Sequence, residues 1–236
     1  MRRWALVIIA LTLLCMGAAA QPVISLHSGL VDYFDGEVSI DGQEIHSSMG
    51  RFPEIPEDSI LRTREGRAEV LLAPGVFVWI GSWGAIRVQG NSLLDARIEF
   101  LEGSAIVQSA ELLPDNAVTL ICRGSQVRLA PNSRYRFEAP TSLTLLRGQA
   151  KITNQDGTFL LQEASRLDFS SGLITARAEH SPDRLDRWAE ERWRTIEAAD
   201  LNRAGRNINI SGTTNRSQRI IRPYPTVVSP IPRRAW

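Results

Sequence analysis

Apolar residues recur at every second position over much of the chain, in short runs such as AEVLLA, GAIRVQG and QAKITN. A period of two is the pattern of a strand that buries one face. The runs are separated by turn residues, and Asp41-Gly42 is a hairpin signal. No helical period of useful length occurs before residue 180. We therefore predict an all-β domain over residues 30–176.

One stretch of this domain is present twice. VLLAPGVFVWI begins at Val70 and VRLAPNSRYRF begins at Val127, and a Leu-x-Gly-x-Ala pattern follows each, at 101–105 and 146–150. A unit of a few strands buries only one apolar face, and a second copy can cover it. We predict a duplicated antiparallel β-unit that forms either a sandwich or a short β-solenoid.

The pattern becomes helical over residues 181–204. Ser181 is the predicted N-cap, Pro182 suits the first helical position, and Gly205 is a plausible end. The apolar positions fall on one face at 3.6 residues per turn: Leu185, Trp188, Ala189, Trp193, Ile196 and Ala199. This face could cap an open end of the β-domain, or it could dock on a partner or a membrane surface.

Residues 205–236 form a tail rich in Pro, Ser and Asn, which predicts disorder. The tail contains six arginines and no acidic residue, so the body of the chain is net acidic and the tail is basic. Its RIIRPYPTVV segment could act as a recognition segment or an added edge strand, with Arg219 and Arg222 as candidate partner-binding residues.

The first twenty residues have the pattern of a signal peptide. Arg2 and Arg3 precede an apolar run, and Ala18 and Ala20 provide a cleavage pattern. We expect export to the periplasm or the extracellular space, with no membrane span after cleavage; the alternative is a retained N-terminal anchor. Cys122 would then be the only cysteine of the mature chain, and its apolar neighbours predict a buried thiol.

The residues indicate no catalytic, metal or cofactor site. The three histidines are far apart without ligand spacing, and neither a phosphate-binding loop nor a nucleophile elbow is present. Phe77, Trp79 and Trp83 are the remaining candidates. If exposed, they would form a platform for sugars or a partner protein; if buried, they are core, which the uniformly apolar VFVWI favours.

The stretch from Thr63 onward resembles the FecR-type periplasmic β-domain. The matching features are Thr63 to Gly66, the G-x-A-x-V-x-L pattern that begins at Gly66, and the Leu-x-Gly-x-Ala pattern at 101–105. The resemblance covers roughly residues 30–160 and implies a β-fold in the cell envelope. Members of that family relay signals to a sigma factor through a cytoplasmic arm. Only three residues precede the apolar segment here, so we do not expect that relay.

The sequence therefore supports an exported, non-enzymatic FecR-like module that binds or scaffolds an envelope protein or polysaccharide. The alternative is a glycan-binding or glycan-cleaving protein of the envelope that uses acidic residues and Trp79 or Trp83. The tail arginines lack a folded groove, so we expect no sequence-specific binding to nucleic acid.

Overall fold

The structure, a computed structural model, describes residues 28–46, 52–92, 94–112 and 116–210, with side chains of the last segment described to residue 199. The strands are β1 (Leu30–Ile40), β2 (Gln43–Glu44), β3 (Ile60–Ala73), β4 (Val76–Ile80), β5 (Ala85–Ser92), β6 (Asp95–Ser109), β7 (Ala117–Cys122), β8 (Ser125–Arg128), β9 (Arg134–Ala139), β10 (Ser142–Arg147), β11 (Gln149–Asn154), β12 (Gly157–Gln162), β13 (Ser165–Asp168) and β14 (Ile174–Thr175). One helix follows, α1 (Arg184–Ile210). The predicted all-β class with one C-terminal helix is confirmed.

The strands form a sandwich, which decides between the two arrangements that the sequence left open. The first layer has the order β2-β1-β3-β4-β6-β9-β10-β13-β14, and the second has the order β3-β5-β6-β7-β8-β11-β12. Every pairing is antiparallel except that of β6 with β7. A single apolar core contains residues of both layers, and within it the rings of Phe100 and Phe137 stack 4.1 Å apart.

Two long strands belong to both layers. β3 pairs with β5 near Leu61 and with β4 from Ala68 onward, and β6 changes partners in the same way at Gly103. Gly103 has a φ of +77°, and a Cβ there would lie 2.6 Å from the carbonyl oxygen of Trp83. Glycine is therefore required where β6 bends from one layer into the other.

The repeated stretch has the same turn geometry in both copies. Gly75 and Asn132 both follow a proline, and both have positive φ, at 76° and 52°. The two turns meet at Ala110, whose N–H donates to Gly75 O (2.8 Å) and whose carbonyl accepts from Asn132 N–H (3.0 Å). The strands that follow, β4 and β9, pair with opposite sides of β6.

The strands that precede these turns differ. β3 and β4 form a hairpin, with Val70 opposite Val78. β8 pairs with β7 and β11 in the second layer, whereas β9 lies in the first layer. The repetition therefore extends to the turns and to the strands beside β6, but the chain connects them to different neighbours.

Helix α1 lies across the outer face of the first layer rather than over an open end of the sandwich. Its apolar face forms a second core with the sheet: Phe77, Trp79, Ile106, Leu185, Trp188, Ala189 and Trp193. The predicted apolar face of the helix is confirmed as far as Ile196, which packs against this core, whereas Ala199 is not part of it. The sheet covers this face, so a membrane or partner is not needed to cover it. No helix among the described residues is long and apolar enough to cross a membrane.

The predicted N-cap was wrong by two residues. The helix begins at Arg184, and Asp183 caps it because its carboxylate accepts the N–H of Asp186 (3.0 Å). The Asp186 carboxylate in turn accepts the N–H of Asp183 (3.1 Å). This reciprocal pair satisfies two backbone donors at once, which Ser181 could not do. The helix also continues past Gly205 to Ile210.

Cys122 is buried and free, as the sequence predicted. Burial, together with the charge of Glu99, raises the pKa of its thiol to about 12. The thiol therefore stays protonated and serves as a small apolar core group.

Candidate functional site

Phe77 and Trp79 do not form an exposed platform. Both point from β4 toward the same side, and their rings stack 6.0 Å apart. Trp193 of α1 packs edge-on against each of them at 6.2 Å, and their exposed fractions are 5% and 0%. The expectation that VFVWI is a strand buried on both sides is confirmed. Neither side chain can contact a partner while the helix is docked.

Trp83 differs from its two neighbours, because its side chain is 63% exposed. It lies in the turn between β4 and β5 with a φ of +60°, an unusual conformation for a bulky residue. Its N–H donates to Arg64 O (3.0 Å), and the backbone of Gly103 lies against its carbonyl group. The neighbouring strands therefore hold this exposed indole on a strained backbone.

A cleft of about 450 Å³ lies beside this turn. It is open between the sheet and the start of α1. Its polar and aromatic lining includes Asp35, Glu65, Arg67, Ser82, Ser104, Asp183, Arg184 and Trp188. Ser82, the residue before Trp83, lines the cleft, so the turn that carries the exposed indole borders it.

Two glycines form one wall of the cleft. Gly36 of β1 lies directly opposite Gly66 of β3. A Cβ at Gly66 would come within 2.6 Å of Asp35 O, so the two strands approach each other too closely for any side chain. Gly66 is one of the residues that carry the FecR resemblance, and its role here is to shape the wall.

The opposite wall belongs to α1. The guanidinium group of Arg67 lies 4.7 Å above the ring of Trp188, and it also forms an ion pair with Asp35 at 3.5 Å. The ring of Trp188 lies 6.0 Å from that of Tyr33. Helix and sheet therefore meet at the cleft through aromatic and cation–π contacts.

Arg136 of β9 fixes the first turn of α1 beside the cleft. Its guanidinium group donates to Asp183 (2.7 Å), Asp186 (2.5 Å) and Glu138 (2.6 Å). Partial burial acts to raise the pKa of Asp183, but the hydrogen bonds from Arg136 and from the backbone of Asp186 hold it well below its usual range. The helix start is thus tied to the sheet by charge-assisted hydrogen bonds.

A second ion-pair network lies under the middle of the helix. Arg192 donates to both oxygens of Glu69, at 2.6 and 2.8 Å, and the indole N–H of Trp79 donates to the same carboxylate at 2.8 Å. Asp32 lies 3.8 Å from Arg192. Burial and the negative charge of Glu69 raise the pKa of Asp32 to about 7, although Arg192 acts in the opposite direction.

Sequence analysis did not find this network. Its signal is an acidic residue, Glu69, at the second position of the otherwise apolar run AEVLLA. Its partner Arg192 is more than one hundred residues away, and the helical pattern gave no reason to pair it with Glu69 rather than with solvent. Arg219 and Arg222 lie outside the described residues, so their predicted role stays a prediction.

The comparisons with known proteins give a distant structural likeness. No family model and no curated protein matches the chain. Among solved structures, it is similar to two crystal structures of a candidate anti-sigma factor from Parabacteroides distasonis ATCC 8503. The sequence identities are 13% and 12%, and the TM-scores are 0.40 and 0.39. Each match covers 48% of this chain and 56% of the other, so the likeness spans about half of either protein. No functional residue is transferred from it.

Proposed function

We propose that this chain is an exported, non-enzymatic FecR-like module that binds a protein partner in the cell envelope through the cleft beside Trp83. The observation that carries the proposal is the exposed indole of Trp83, held on a strained backbone in the turn that borders that cleft. Tryptophan is enriched among residues that dominate binding energy, and backbone strain clusters at functional positions.

The construction of the cleft supports a binding role. Gly66 and Gly103 allow the close approach of the strands that position the rim, and both belong to the pattern that resembles FecR-type domains. The carboxyl group of Asp32, whose pKa burial raises to about 7, lies with Glu69 and Arg192 beneath the helix. Asp183 is engaged by Arg136. These titratable groups hold the helix in place, and a substrate at the cleft would not reach Asp32.

The test compares partner capture by three forms of the purified chain: the wild type, Trp83→Ala and the control Leu94→Ala. Leu94 is equally exposed, at 62%, but lies at a different turn. We expect the captured amount of a specific envelope protein to fall tenfold or more with Trp83→Ala and to be unchanged with Leu94→Ala. Equal capture by all three forms would contradict the proposal.

The predicted role of the tail is tested separately. Truncation after residue 210, where α1 ends, should leave the circular dichroism of the β-domain intact, and it should weaken partner capture if Arg219 and Arg222 contribute. The double substitution of these arginines by serine isolates their charges from the length of the tail. If truncation abolished the β-sheet circular dichroism, the tail would be part of the folded domain.

A glycan-binding role is the second candidate, because the turn that carries the exposed Trp83 ring borders a cleft that Asp35 and Glu65 line. An aromatic platform beside hydrogen-bonding acids can hold a sugar ring. Calorimetry with envelope polysaccharides distinguishes the two roles: saturable binding that Trp83→Ala abolishes, without capture of a protein, would favour the glycan. Hydrolysis that disappears on replacing a single carboxylate would instead establish an enzyme.

A further inference from the structure

Strand β12 is a free edge of the second layer. It pairs with β11 through all six of its residues without a register shift. Among the described residues, no other strand pairs with its outer side. Such an edge presents a row of backbone donors and acceptors that a further strand can use.

The register identifies which groups face outward. Asn154 and Gly157 pair directly across the two-residue turn, so they exchange both backbone hydrogen bonds. Because hydrogen-bonded and non-hydrogen-bonded pairs alternate along an antiparallel ladder, the N–H and C=O groups of Thr158, Leu160 and Gln162 point away from β11.

Other edges of the sandwich carry features that oppose strand addition. β2 and β14 contain two residues each. The free part of β1 is interrupted by a register shift between Gly36 and Val38 and carries Asp35 and Glu37. Short edges, irregularities and charges are the usual protective devices. β12 is regular and uncharged, and its Leu160 is 58% exposed.

We propose that β12 pairs with β12 of a second copy of this chain, antiparallel across a two-fold axis at Leu160. The three outward-facing residues are symmetric about Leu160. In this register Leu160 lies opposite Leu160 of the partner subunit, and Thr158 lies opposite Gln162 of the partner subunit. Each outward N–H then meets a carbonyl group, which gives about six backbone hydrogen bonds.

The side chains also favour a second copy. The two Leu160 side chains would cover each other on the outer face, and no charged residues lie directly opposite in the segment Gly157–Gln162. Lys151 is the neighbour of Leu160 on β11. The Lys151 groups of the two copies would be separated by three strand spacings, about 14 Å, which exceeds the Debye length of about 8 Å at physiological ionic strength. The surface is distinct from the cleft beside Trp83, so this inference does not depend on the proposed function.

The first experiment measures mass in solution by sedimentation across the micromolar range. We expect the wild type to dimerise and Leu160→Lys to shift to the monomer with unchanged circular dichroism and with a melting temperature that no longer depends on protein concentration. Leu173→Lys is the matched control, since Leu173 is 64% exposed and lies outside the strands; it should remain dimeric. A monomeric wild type, or a Leu160→Lys variant that stays dimeric, would overturn the proposal.

A second experiment detects the proposed dimer directly by crosslinking, without a variant that breaks it. In Leu160→Cys the two thiols would be one strand spacing apart, so a short bis-maleimide should link two chains. Leu173→Cys should not be linked, and Cys122 is buried. Equal linking of both variants would contradict the two-fold axis. If truncation after residue 210 were required for dimerisation, the tail of the same chain would occupy the edge, and the proposal would be wrong.

Discussion

The two copies of the Leu-Ala-Pro stretch hold the same helix by different chemistry. Trp79 of β4 and Arg136 of β9 both lie directly opposite Ile106 of β6, on its two sides. Trp79 packs against Trp193 in the middle of α1, whereas Arg136 binds Asp183 and other acidic groups at its start. Equivalent positions in the repeat therefore have equivalent places in the sheet.

The difference shows what each copy contributes. Burial of the Trp79 ring removes a large apolar surface from water, which stabilises docking directly. The ion pairs of Arg136 must first offset the desolvation of its charge, so their net contribution is smaller. Their geometry instead fixes where the first turn of the helix sits, because Arg136 meets two carboxylates of that turn.

The largest expected effect comes from removing the aromatic anchor. Trp79→Ala should lower the free energy of unfolding by about 3–5 kcal/mol, because it leaves a cavity under the helix and removes a hydrogen bond to Glu69. Urea unfolding followed by circular dichroism measures the change. Trp83→Ala is the control and should stay within about 0.5 kcal/mol of the wild type, since its side chain is exposed.

The pH dependence of stability distinguishes the surroundings of the two anchors, because Asp32 lies beside the Glu69 carboxylate that binds Trp79, whereas Asp183 binds Arg136. Asp32 has an ordinary pKa of 3.8 in the unfolded chain and about 7 in the folded protein. Between these values the unfolded chain releases a proton that the folded protein keeps, so stability falls as pH rises, by about 1 kcal/mol per pH unit, and levels off above pH 7. Unfolding experiments from pH 4 to 8 should show this slope in the wild type and a flatter one in Asp32→Asn.

The second anchor should respond in the opposite direction. The pKa of Asp183 is held below its ordinary value, so its contribution is present above that value and is lost as pH falls below it. Asp32→Asn should retain this acid-side loss. If the stability of Asp32→Asn fell with pH as steeply as that of the wild type between pH 4 and 7, Asp32 would not be the group that titrates.

Arg136→Met, which removes the charged anchor, should lower the free energy of unfolding by about 2–3 kcal/mol. The buried Asp186 loses the guanidinium group and keeps the imidazole of His180, at 3.0 Å, as its ion-pair partner. Asp186→Asn combined with Arg136→Met should recover part of that loss. A double-mutant cycle on these two residues, read from urea midpoints, measures their coupling, which we expect to exceed about 1 kcal/mol. Strict additivity would mean that the two side chains act independently.

The smallest effect concerns the turns that the copies share. Gly75 and Asn132 both have positive φ, a conformation that asparagine tolerates better than most residues. Gly75→Asn and Asn132→Gly should each change the free energy of unfolding, measured by thermal melting, by roughly 0.5 kcal/mol or less. Gly75→Val should cost clearly more, since β-branched residues are unfavourable at positive φ. Equal effects of asparagine and valine at position 75 would show that the turn does not require this conformation.

Local patterns were sufficient for much of the fold. Alternation predicted strands, and the Asp41-Gly42 signal predicted the hairpin between β1 and β2. The uniformly apolar VFVWI predicted a strand buried on both sides, and the spacing of Leu185, Trp188 and Trp193 predicted the face that α1 buries. Each of these depends on neighbouring residues, so the sequence contains the whole signal.

The candidate site required the tertiary structure. Phe77, Trp79 and Trp83 are close in sequence and similar in chemistry, yet the docked helix buries two of them and leaves the third exposed. The apolar run VFVWI predicted burial of Phe77 and Trp79, but no local pattern named what covers them, because Trp193 is more than one hundred positions away.

The sequence by itself thus determined the elements, their apolar faces and the repeated turns, because these follow from short-range periodicity and from the conformational preferences of glycine, proline and asparagine. Only the tertiary structure decided where the helix docks, that Glu69 and Arg192 pair beneath it, and that the turn carrying Trp83 borders a cleft. Those features depend on contacts between distant parts of the chain, which packing of the two layers and the helix brings together.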